Sequence, residues 1–306
     1  MYEIDPSMDI QGLIDRNRLR LEDDSRIVIL MKKGIYRQRI HLVGKHIKII
    51  AESGVEIVYS QAANFLGKNQ TFQTSVVLLE GMDITVEGLT IRNDAGLGEE
   101  VGQAVALYVH RIDIKFINCE ILGNQDTLCI GPIIEKNRDG SVLDTPIKFK
   151  LGGKSKYLFS KCFIKGNVDY IFGGGSALFE NCEIKTIANG KEIETYITAP
   201  CTPEGQKYGF VFKRCIVMSE DGYKNYLGRP WRKFAKAMFI ECTFAKGFDK
   251  QGWSLWGEDP HSIDKVNFSE IGCMYSKPIK RPKWVDFQEK DVEGDLKNVD
   301  RYFNFN

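Results

Sequence analysis

Two aspartates occupy the same place in a repeated sequence unit. Residues 119–126 and 162–169 share the pattern Cys-x-Ile-x-Gly-x-x-Asp, so Asp126 and Asp169 each follow a cysteine by seven residues. If the two units stack in register, their carboxyls lie one strand spacing apart. Two carboxyls at such a short distance do not readily ionise together. One keeps its proton and can act as an acid, while the other stays anionic and can act as a base or a nucleophile. The spacing alone leaves a second interpretation open, in which each Asp accepts backbone hydrogen bonds in a turn.

The unit that carries these aspartates belongs to a longer repeat. Its signature is a Phe three residues before the Cys and an apolar residue two positions after it, and it occurs five times at intervals of 20 to 43 residues. A free Cys behaves as a small buried hydrophobe, so the recurring Cys predicts an inward-facing row of thiols on stacked strands. The five cysteines are Cys119, Cys162, Cys182, Cys215 and Cys242.

A short unit interrupted by insertions of variable length is typical of a parallel β-helix. In such a solenoid neighbouring coils stack at about 4.8 Å and insertions emerge as loops. We therefore predict an all-β solenoid with a short helix over residues 8–16 that caps the N-terminal end. Residues 277–283 and the charged tail are expected to wrap over the coils, and residues 1–306 to form one domain.

The composition argues against several classes of function. The 306-residue chain has 42 Lys and Arg against 41 Asp and Glu, and its net charge of +1 gives no broad field for nucleic acid or an anionic membrane. No apolar run approaches the roughly 18 residues of a membrane span. The eight cysteines form no C-x-x-C pair and no Cys/His pattern at zinc spacing, so we expect neither a metal nor disulfides.

The beginning of the sequence carries no recognisable targeting signal. Residues 1–9 lack the basic region, the apolar stretch and the small-residue cleavage site of a secretory signal. The expected location is therefore the cytoplasm, or the outside of the cell if a signal peptide was removed from the sequence as written. The protein is expected to be a monomer.

Four motifs, two of which contain the paired aspartates, follow one another along the chain. They are Gln103-Ala-Val-Ala-Leu107, Gly123-Asn-Gln-Asp-Thr-Leu128, Gly166-Asn-Val-Asp-Tyr-Ile-Phe-Gly173 and Leu227-Gly-Arg-Pro-Trp231. In this order and context they resemble the pectinesterase (pectin methylesterase) family. The resemblance reaches from about residue 10, through residues 34–36 and 252–256, to residues 281–284. The resemblance implies a right-handed, single-stranded parallel β-helix, which the cysteine repeat predicts independently.

The resemblance also implies an ester hydrolase and a role for each motif residue. The implied reaction is hydrolysis of the C6 methyl ester of galacturonate in pectin or methylated oligogalacturonides, giving methanol and a carboxylate. Asp169 would be the nucleophile and Asp126 the general acid and then base. The amides of Gln125 and Gln103 would bind the oxyanion, and Arg229 would pair with Asp169 and keep it ionised. No metal or organic cofactor is expected.

Three aromatic residues in the matched motifs are candidates for sugar binding. Trp231 resembles the family's sugar-facing aromatic, and an indole face suits the apolar side of a pyranose, although a core Trp is the alternative. Phe172 and Tyr170 lie in the nucleophile motif, where strand alternation places one of the two in the core. No G-x-S-x-G surrounds Ser176, which disfavours a Ser-His-Asp esterase. The histidines, all outside the matched motifs, are His41, His46, His110 and His261.

The sequence departs from the family pattern at three places. Gln38 stands where the family commonly has Glu, and Tyr170 follows the nucleophile where Phe is common. Residues 131–156, between the two Asp motifs, form a longer insertion than the plant enzymes have. We predict that this insertion is a loop at the cleft that restricts the substrate to short methylated chains, since such loops commonly set substrate size.

Two other functions remain open. A pectate lyase or polygalacturonase could use the same solenoid, but it would need a calcium-binding acidic cluster with a basic residue, or more clustered Asp, and the sequence has neither pattern. A solenoid without catalytic activity, which binds polysaccharide or a partner protein, is the second alternative. The presence of both Asp motifs together with Arg229 and Trp231 argues against it.

Overall fold

The chain winds into a parallel β-helix, as predicted from the cysteine repeat. The computed structural model describes residues 1–16, 26–67, 70–136, 140–147, 155–191, 194–220, 222–245, 247–257, 260–291 and 294–305. Within these ranges there are 24 β-strands, numbered here in chain order, and every pairing between them is parallel. Parallel pairing between successive coils is what defines a solenoid of this kind.

The strands form two sheets that follow the axis of the solenoid. The larger sheet has 15 strands. Eleven of them form one hydrogen-bonded path: β1 (Tyr2–Ile4), β2 (Ile27–Met31), β4 (Ile40–Ala51), β6 (Val77–Glu87), β8 (Leu107–Ile117), β11 (Lys156–Ser160), β14 (Ser176–Glu180), β17 (Phe210–Lys213), β20 (Lys236–Ile240), β22 (Asn267–Ile271) and β24 (Val285–Gln288). Four more branch from β8: β10 (Leu128–Ile130), β13 (Ile171–Gly173), β16 (Glu194–Pro200) and β19 (Lys224–Gly228). The second sheet has nine strands: β3 (Gly34–Tyr36), β5 (Val55–Tyr59), β7 (Thr90–Asn93), β9 (Glu120–Leu122), β12 (Phe163–Gly166), β15 (Glu183–Thr186), β18 (Ile216–Ser219), β21 (Thr243–Phe244) and β23 (Met274–Tyr275).

Three long strands turn a corner of the solenoid and divide the larger sheet into two faces. The first half of β8 pairs with β10 and its second half with β11. At the corner in β4 and β6, Gly44 lies opposite Gly81, and a Cβ on Gly81 would come within 1.9 Å of the Gly44 carbonyl oxygen. Glycine is therefore required for this close backbone approach. The face formed by β10, β13, β16, β19 and the first halves of β4, β6 and β8 is called the cleft face below.

Two aligned rows of side chains fill the solenoid interior. Five phenylalanines stack along the axis, with ring centroids 4.4 to 5.0 Å apart between neighbouring coils. Beside them lies the predicted cysteine row, in which each thiol donates to a backbone carbonyl of the preceding coil over 3.2 to 3.5 Å. Aromatic stacking and apolar burial thus recur at every coil and hold the coils in register. The stacked residues are Phe116, Phe159, Phe179, Phe212 and Phe239.

The phenylalanine row ends at a buried ion pair. Glu270 lies opposite Phe239 in the next strand and is fully buried. Arg281 donates to both of its carboxylate oxygens over 2.6 and 2.8 Å, and the indole N–H of Trp253 donates at 2.8 Å. Cys273 extends the thiol row by one coil. The repeat signature does not find this cysteine because Glu270 stands in place of the Phe.

The residue before each of the five repeat cysteines has a left-handed backbone. Its φ lies between 52 and 54°, a region that residues other than Gly, Asn and Asp seldom adopt. The turn imposes this conformation because the N–H of each residue donates to a carbonyl of the next coil. These residues are Asn118, Lys161, Asn181, Arg214 and Glu241.

A short helix lies at the N-terminal end of the solenoid, as predicted. This helix, α1 (Ile10–Asp15), falls within the predicted range of residues 8–16 and is capped by the carboxylate of Asp9. Gln38, which departs from the family pattern, accepts a hydrogen bond from the Ile10 N–H at 2.8 Å. The departure therefore has a structural role, because Gln38 ties the helix to the first coils.

The C-terminal segment wraps over the outer side of the larger sheet, as predicted. Helix α4 (Asp295–Tyr302) places Val299 in one buried cluster with Leu178 and Val211 of the sheet. No helix in the described ranges is long and apolar enough to span a membrane. The other described helices are α2 (Ala63–Leu66), α3 (Gly98–Val101) and the 3-10 helices Thr71–Thr74 and Pro260–Lys265.

The cysteines give the first testable prediction. All eight are unpaired and seven are buried. We expect eight titratable thiols per chain when the protein is denatured without reductant and treated with a thiol reagent. The native protein should react slowly, because burial raises the pKa of thiols such as Cys129 and keeps them protonated. A denatured titre lower by two or more would reveal a disulfide and contradict the reduced thiol row.

Candidate active site

Asp126 and Asp169 enter the cleft face at equivalent positions. Each stands two residues before a strand, and these strands pair Leu128 with Ile171, so the two aspartates are in register, as predicted. The Asp126 N–H donates to the Val168 carbonyl oxygen at 3.0 Å. Both aspartates have a left-handed backbone, with φ of 61° and 49°. Asp tolerates this region better than most residues, and such strain is concentrated at functional sites.

Arg229 binds the Asp169 carboxylate with two parallel hydrogen bonds. Its Nε donates to Oδ1 at 2.9 Å and its Nη2 donates to Oδ2 at 2.7 Å. Arg229 follows β19, two coils beyond Asp169, and its backbone N–H donates to the Thr198 carbonyl oxygen at 3.0 Å. A bidentate, charge-assisted pair fixes the orientation of the carboxylate and favours its anionic form. The Arg229–Asp169 pair that the resemblance implied is therefore present.

Two aromatic rings enclose the guanidinium of Arg229. Its central carbon lies 3.8 Å from the ring centroid of Tyr196 and 4.3 Å from that of Trp256. Each cation–π contact of this kind contributes about 0.5 to 2 kcal/mol, depending on how far the cation is desolvated. Tyr196 in turn stacks on Tyr226, with centroids 5.3 Å apart. The rings therefore hold the guanidinium beside Asp169.

The electrostatic surroundings of the two carboxyls differ. Burial raises the pKa of Asp126 well above its usual range, and the charge of Asp169 raises it further, while Arg229 lowers it. Burial also raises the pKa of Asp169, but the charge and hydrogen bonds of Arg229 oppose that rise. Asp126 therefore keeps its proton to a higher pH than Asp169 does. Of the two carboxyls, Asp169 is therefore the one that ionises more readily.

One cavity of about 270 Å³ over the cleft face gathers most of the predicted site residues. Gln103 and Gln125 line it from neighbouring coils, where the Ala104 N–H donates to the Gln125 carbonyl oxygen at 3.1 Å. The two amides thus lie on the same cavity as both carboxyls. The predicted residues that line the cavity are Gln103, Gln125, Asp126, Asp169, Phe172, Arg229 and Trp231.

Trp231 and Phe172 form the aromatic part of the cavity. Their rings meet edge to face, with centroids 6.0 Å apart and planes at 63°. Phe172 is almost fully buried, whereas Trp231 is partly exposed. Trp231 therefore packs on one aromatic neighbour and still presents surface to the cavity, which is the arrangement that stacking against a sugar ring requires.

Tyr170 does not reach the cavity, which corrects the expectation that it contacts substrate. Its ring is fully buried in the solenoid interior, and its hydroxyl pairs with Thr186 Oγ1 at 2.9 Å. Of the two aromatics in the nucleophile motif, Tyr170 is the core residue and Phe172 faces the cavity. Gly166 makes room for this placement, because a Cβ there would come within 2.3 Å of Tyr170 Cβ.

Sequence reasoning missed several residues that line the cavity. Trp256 ends a stretch that contributed to the family resemblance, but nothing local showed its contact with the arginine. Leu143 brings the insertion of residues 131–156 to the cavity, where that insertion was expected, although residues 137–139 and 148–154 lie outside the described ranges. The missed residues are Thr71, Phe72, Leu143, Ala199 and Trp256.

The histidines whose side chains are described lie away from the cavity. His46 Nδ1 pairs with Asp83 at 2.9 Å, and His41 lies 3.8 Å from Glu80. His110 is buried beside the cleft-face strands, and burial lowers its pKa. The side chain of the fourth, His261, lies outside the described part of the chain. Like the matched motifs, the described part of the site therefore does not include a histidine.

Proteins of known structure share the fold and its order of coils. A pectin methylesterase from carrot superposes with a TM-score of 0.78, covering 94% of this chain and 87% of that chain at 20% identity. A pectin methylesterase from Yersinia enterocolitica gives a TM-score of 0.70, covering 90% of this chain and 92% of that chain at 26% identity. These likenesses confirm the parallel β-helix predicted from the sequence.

The sequence comparisons identify the family. The family profile described as Pectinesterase matches residues 13–146 and 150–302, so the chain belongs to the pectinesterase family. Pectinesterase 31 of Arabidopsis thaliana is 31% identical over 282 residues, covering 87% of this chain and 78% of its own length. The chain spans about two fifths of the length of the first curated relatives that it matches.

The side chain of Gln125 fits against a glycine of α3. A Cβ on Gly98 would lie 2.2 Å from Gln125 Oε1 and 2.8 Å from Gln125 Cβ. A methyl group at this position would therefore move the amide. The site thus depends on a residue whose own chemistry gave no sequence signal.

We expect Gly98→Ala to displace the Gln125 amide and lower turnover about tenfold, while the helix start itself accepts Ala. The measurement is methanol release from methyl-esterified galacturonan, the assay that the family suggests. The same substitution in a Gln125→Ala background is the control and should have no further effect. A second loss of similar size in that background would show that Gly98 acts in some other way.

Proposed function

We propose that this chain is an aspartyl esterase that hydrolyses the C6 methyl ester of galacturonate residues in pectin or methylated oligogalacturonides. The observation that carries the proposal is the Asp169 carboxylate, bound by both arms of Arg229 on the cavity that holds the proton-bearing Asp126. Membership of the pectinesterase family supports the same reaction.

In the first half-reaction Asp169 attacks the ester carbonyl carbon and forms a tetrahedral intermediate. The side-chain N–H groups of Gln125 and Gln103 stabilise the negative oxygen of this intermediate. Asp126 transfers its proton to the departing methoxide, so the ester C–O bond breaks and methanol leaves. The acyl group remains on Asp169 as an anhydride.

In the second half-reaction Asp126 acts as a base. Its carboxylate takes one proton from a water molecule, whose oxygen attacks the acyl carbon, and the bond to Asp169 breaks. The galacturonic acid product leaves and ionises in solvent, and Asp126 holds a proton again. Arg229 stays beside Asp169 and favours the release of Asp169 as a carboxylate anion. This scheme uses neither a metal ion nor an organic cofactor.

Trp231 and Phe172 are proposed to bind the sugar that carries the ester. The partly exposed indole offers an apolar face to the pyranose, and the phenyl ring beneath it fixes the tilt of the indole. Aromatic side chains supply such area with little loss of conformational entropy. The ligand of this surface is therefore a polysaccharide chain or a fragment of one.

The alternative enzymes on the same solenoid lack a supporting observation. Among the described residues no three His, Cys, Asp or Glu side chains are grouped in a way that could hold a metal ion. A pectate lyase would need such a cluster for calcium. The expected cytoplasmic location and monomeric state stay predictions, which cell fractionation and light scattering would test.

We expect Asp169→Ala and Asp126→Ala each to lower methanol release by about a thousandfold or more, because each removes an atom that makes or breaks a bond. Gln125→Ala should be milder, at about a hundredfold in turnover, as for one lost oxyanion donor. Asp83→Ala is a matched control, since Asp83 also has a left-handed backbone, with φ of 53°, but lies beside His46. It should retain wild-type turnover. Near-normal activity of a folded Asp169 or Asp126 variant, with folding checked by circular dichroism, would refute that residue's role.

Chelation separates the esterase from the lyase alternative. We expect methanol release to persist in EDTA, because the proposed steps use only carboxylates, amides and a guanidinium. Unsaturated product should be absent when demethylated galacturonan is the substrate. Activity lost in EDTA and restored by calcium, together with unsaturated product, would instead support a lyase.

A further inference from the structure

The floor of the cleft is a straight row of side chains on the outer side of the cleft face. The row crosses five coils in register, from β6 to β16. These side chains belong to a buried cluster that is separate from the solenoid interior. In order along the axis they are Leu78, Tyr108, Cys129, Phe172 and Ala199.

The insertion covers one end of this floor. Leu78 and Tyr108 point outward, yet only 3% and 0% of their surfaces are exposed. The side chains that share their cluster include Ile133, Leu143 and Ile147, all from the insertion of residues 131–156. Towards the other end, Trp231 and Trp256 are only partly buried and line the open cavity. The cleft is therefore covered at its β6 end.

The described part of the insertion also reaches across the width of the cleft face. It begins where β10 ends, at one edge of that face. Asp144 accepts hydrogen bonds from Gln70 Nε2 at 2.8 Å and from Gln73 Nε2 at 3.2 Å. Both glutamines precede β6, and β6 runs parallel to β10 in the same face, so they lie at the opposite edge. We call residues 140–147 the end wall.

The base of the insertion is held firmly on the edge where it begins. A Cβ on Gly174 would lie 2.4 Å from the Pro132 carbonyl oxygen, and a Cβ on Gly175 would lie 2.4 Å from the Gly131 carbonyl oxygen. The run of glycines after the nucleophile motif thus lets the outgoing chain lie against the next coil. Farther out, Arg232 donates to the Lys136 carbonyl oxygen at 3.3 Å.

The end wall stands close to the reacting groups. Leu143 and Phe72 line the same cavity as Asp126 and Asp169. The volume of that cavity, about 270 Å³, lies just below the roughly 300 to 1,000 Å³ of pockets that enclose a drug-sized ligand. The cavity that holds both carboxyls is therefore small, and Leu143 of the end wall forms part of its lining.

We infer that the end wall makes the cleft blind, so that the enzyme acts on the methyl ester at or next to one end of a galacturonan chain. The substrate class is then short methylated oligogalacturonides, which offer many ends per ester, rather than long pectin. This inference rests on the proposed esterase activity and adds its position of attack. A chain bound at the Asp169–Arg229 pair extends only towards Trp231 and Trp256.

The first test uses the wild-type enzyme with two probes, fully methyl-esterified hexagalacturonate and high-methoxyl pectin. We expect the first free carboxylate of the hexamer, located by tandem mass spectrometry, to lie at or next to one end. Per ester, kcat/KM should be at least about tenfold lower on pectin than on the hexamer. Attack in the middle of the hexamer, or equal kcat/KM on the two substrates, would overturn the blind cleft and leave the proposed esterase intact. Absence of methanol from both substrates would overturn the esterase and the inference together.

The second test removes the attachment of the end wall. Asp144→Ala should raise kcat/KM on pectin by about threefold to tenfold, as expected from the loss of two exposed hydrogen bonds, and change the hexamer value less than twofold. The Gln70→Ala/Gln73→Ala double variant should have the same effect and should add nothing to Asp144→Ala.

A matched control lies far from the cleft. Asp286, on the last strand, accepts a hydrogen bond from Gln288 Nε2 at 3.1 Å in an equally exposed setting. Asp286→Ala should leave the ratio of the two kcat/KM values unchanged. A ratio that stays at the wild-type value in Asp144→Ala and in the double glutamine variant would overturn the role of the end wall.

Discussion

Hydrogen bonds between parallel strands fix the height of each coil, and the interior rows of Phe and Cys fix its rotation about the solenoid axis. A slip of one residue would turn every side chain of a strand to the opposite face, which the buried rows do not allow. Asp126 and Asp169 are neighbours only because Leu128 pairs with Ile171. The geometry of the site therefore depends on the register between coils. An insertion in a loop between strands does not disturb it.

The site holds an ion pair in a largely buried part of the fold. A buried ion pair such as Asp169 with Arg229 costs desolvation energy, and such a cost is repaid only when geometry and hydrogen bonds are good. Here two parallel hydrogen bonds and two aromatic rings surround the guanidinium. The partners stand two coils apart, so correct stacking of three coils is a condition for a correctly charged nucleophile. Left-handed backbone at both aspartates adds strain that the surrounding ladder holds in place.

The sequence allowed the fold and the pairing of the two aspartates to be predicted because both leave local signals. The solenoid repeats its Phe and Cys pattern, and the two aspartates stand at equal distances from their cysteines. What could not be predicted depends on contacts between residues far apart in the chain. Nothing near Trp256 shows that it covers Arg229, and nothing near Gly98 shows that it makes room for Gln125.

The error at Tyr170 has the same origin. Side chains two residues apart on a regular strand lie on the same face, so alternation could not separate Tyr170 from Phe172. Tyr170 precedes β13, and its side chain enters the interior, where Gly166 leaves room for it and its hydroxyl pairs with Thr186. The insertion could likewise be placed at the cleft from its position in the chain. Its attachment to Gln70 and Gln73, more than sixty residues earlier, could not.

The buried pair of Glu270 and Arg281 makes the stability of the last coils depend on the C-terminal segment. Glu270 enters the interior of the last coils, whereas the cation that neutralises it lies 11 residues later in the chain. A carboxylate left alone in such a place destabilises a protein by about 3 to 5 kcal/mol. The last coils therefore reach their full stability only when the C-terminal segment is docked and Arg281 lies beside Glu270. The C-terminal segment thus balances the charge at this end of the solenoid as well as covering the sheet.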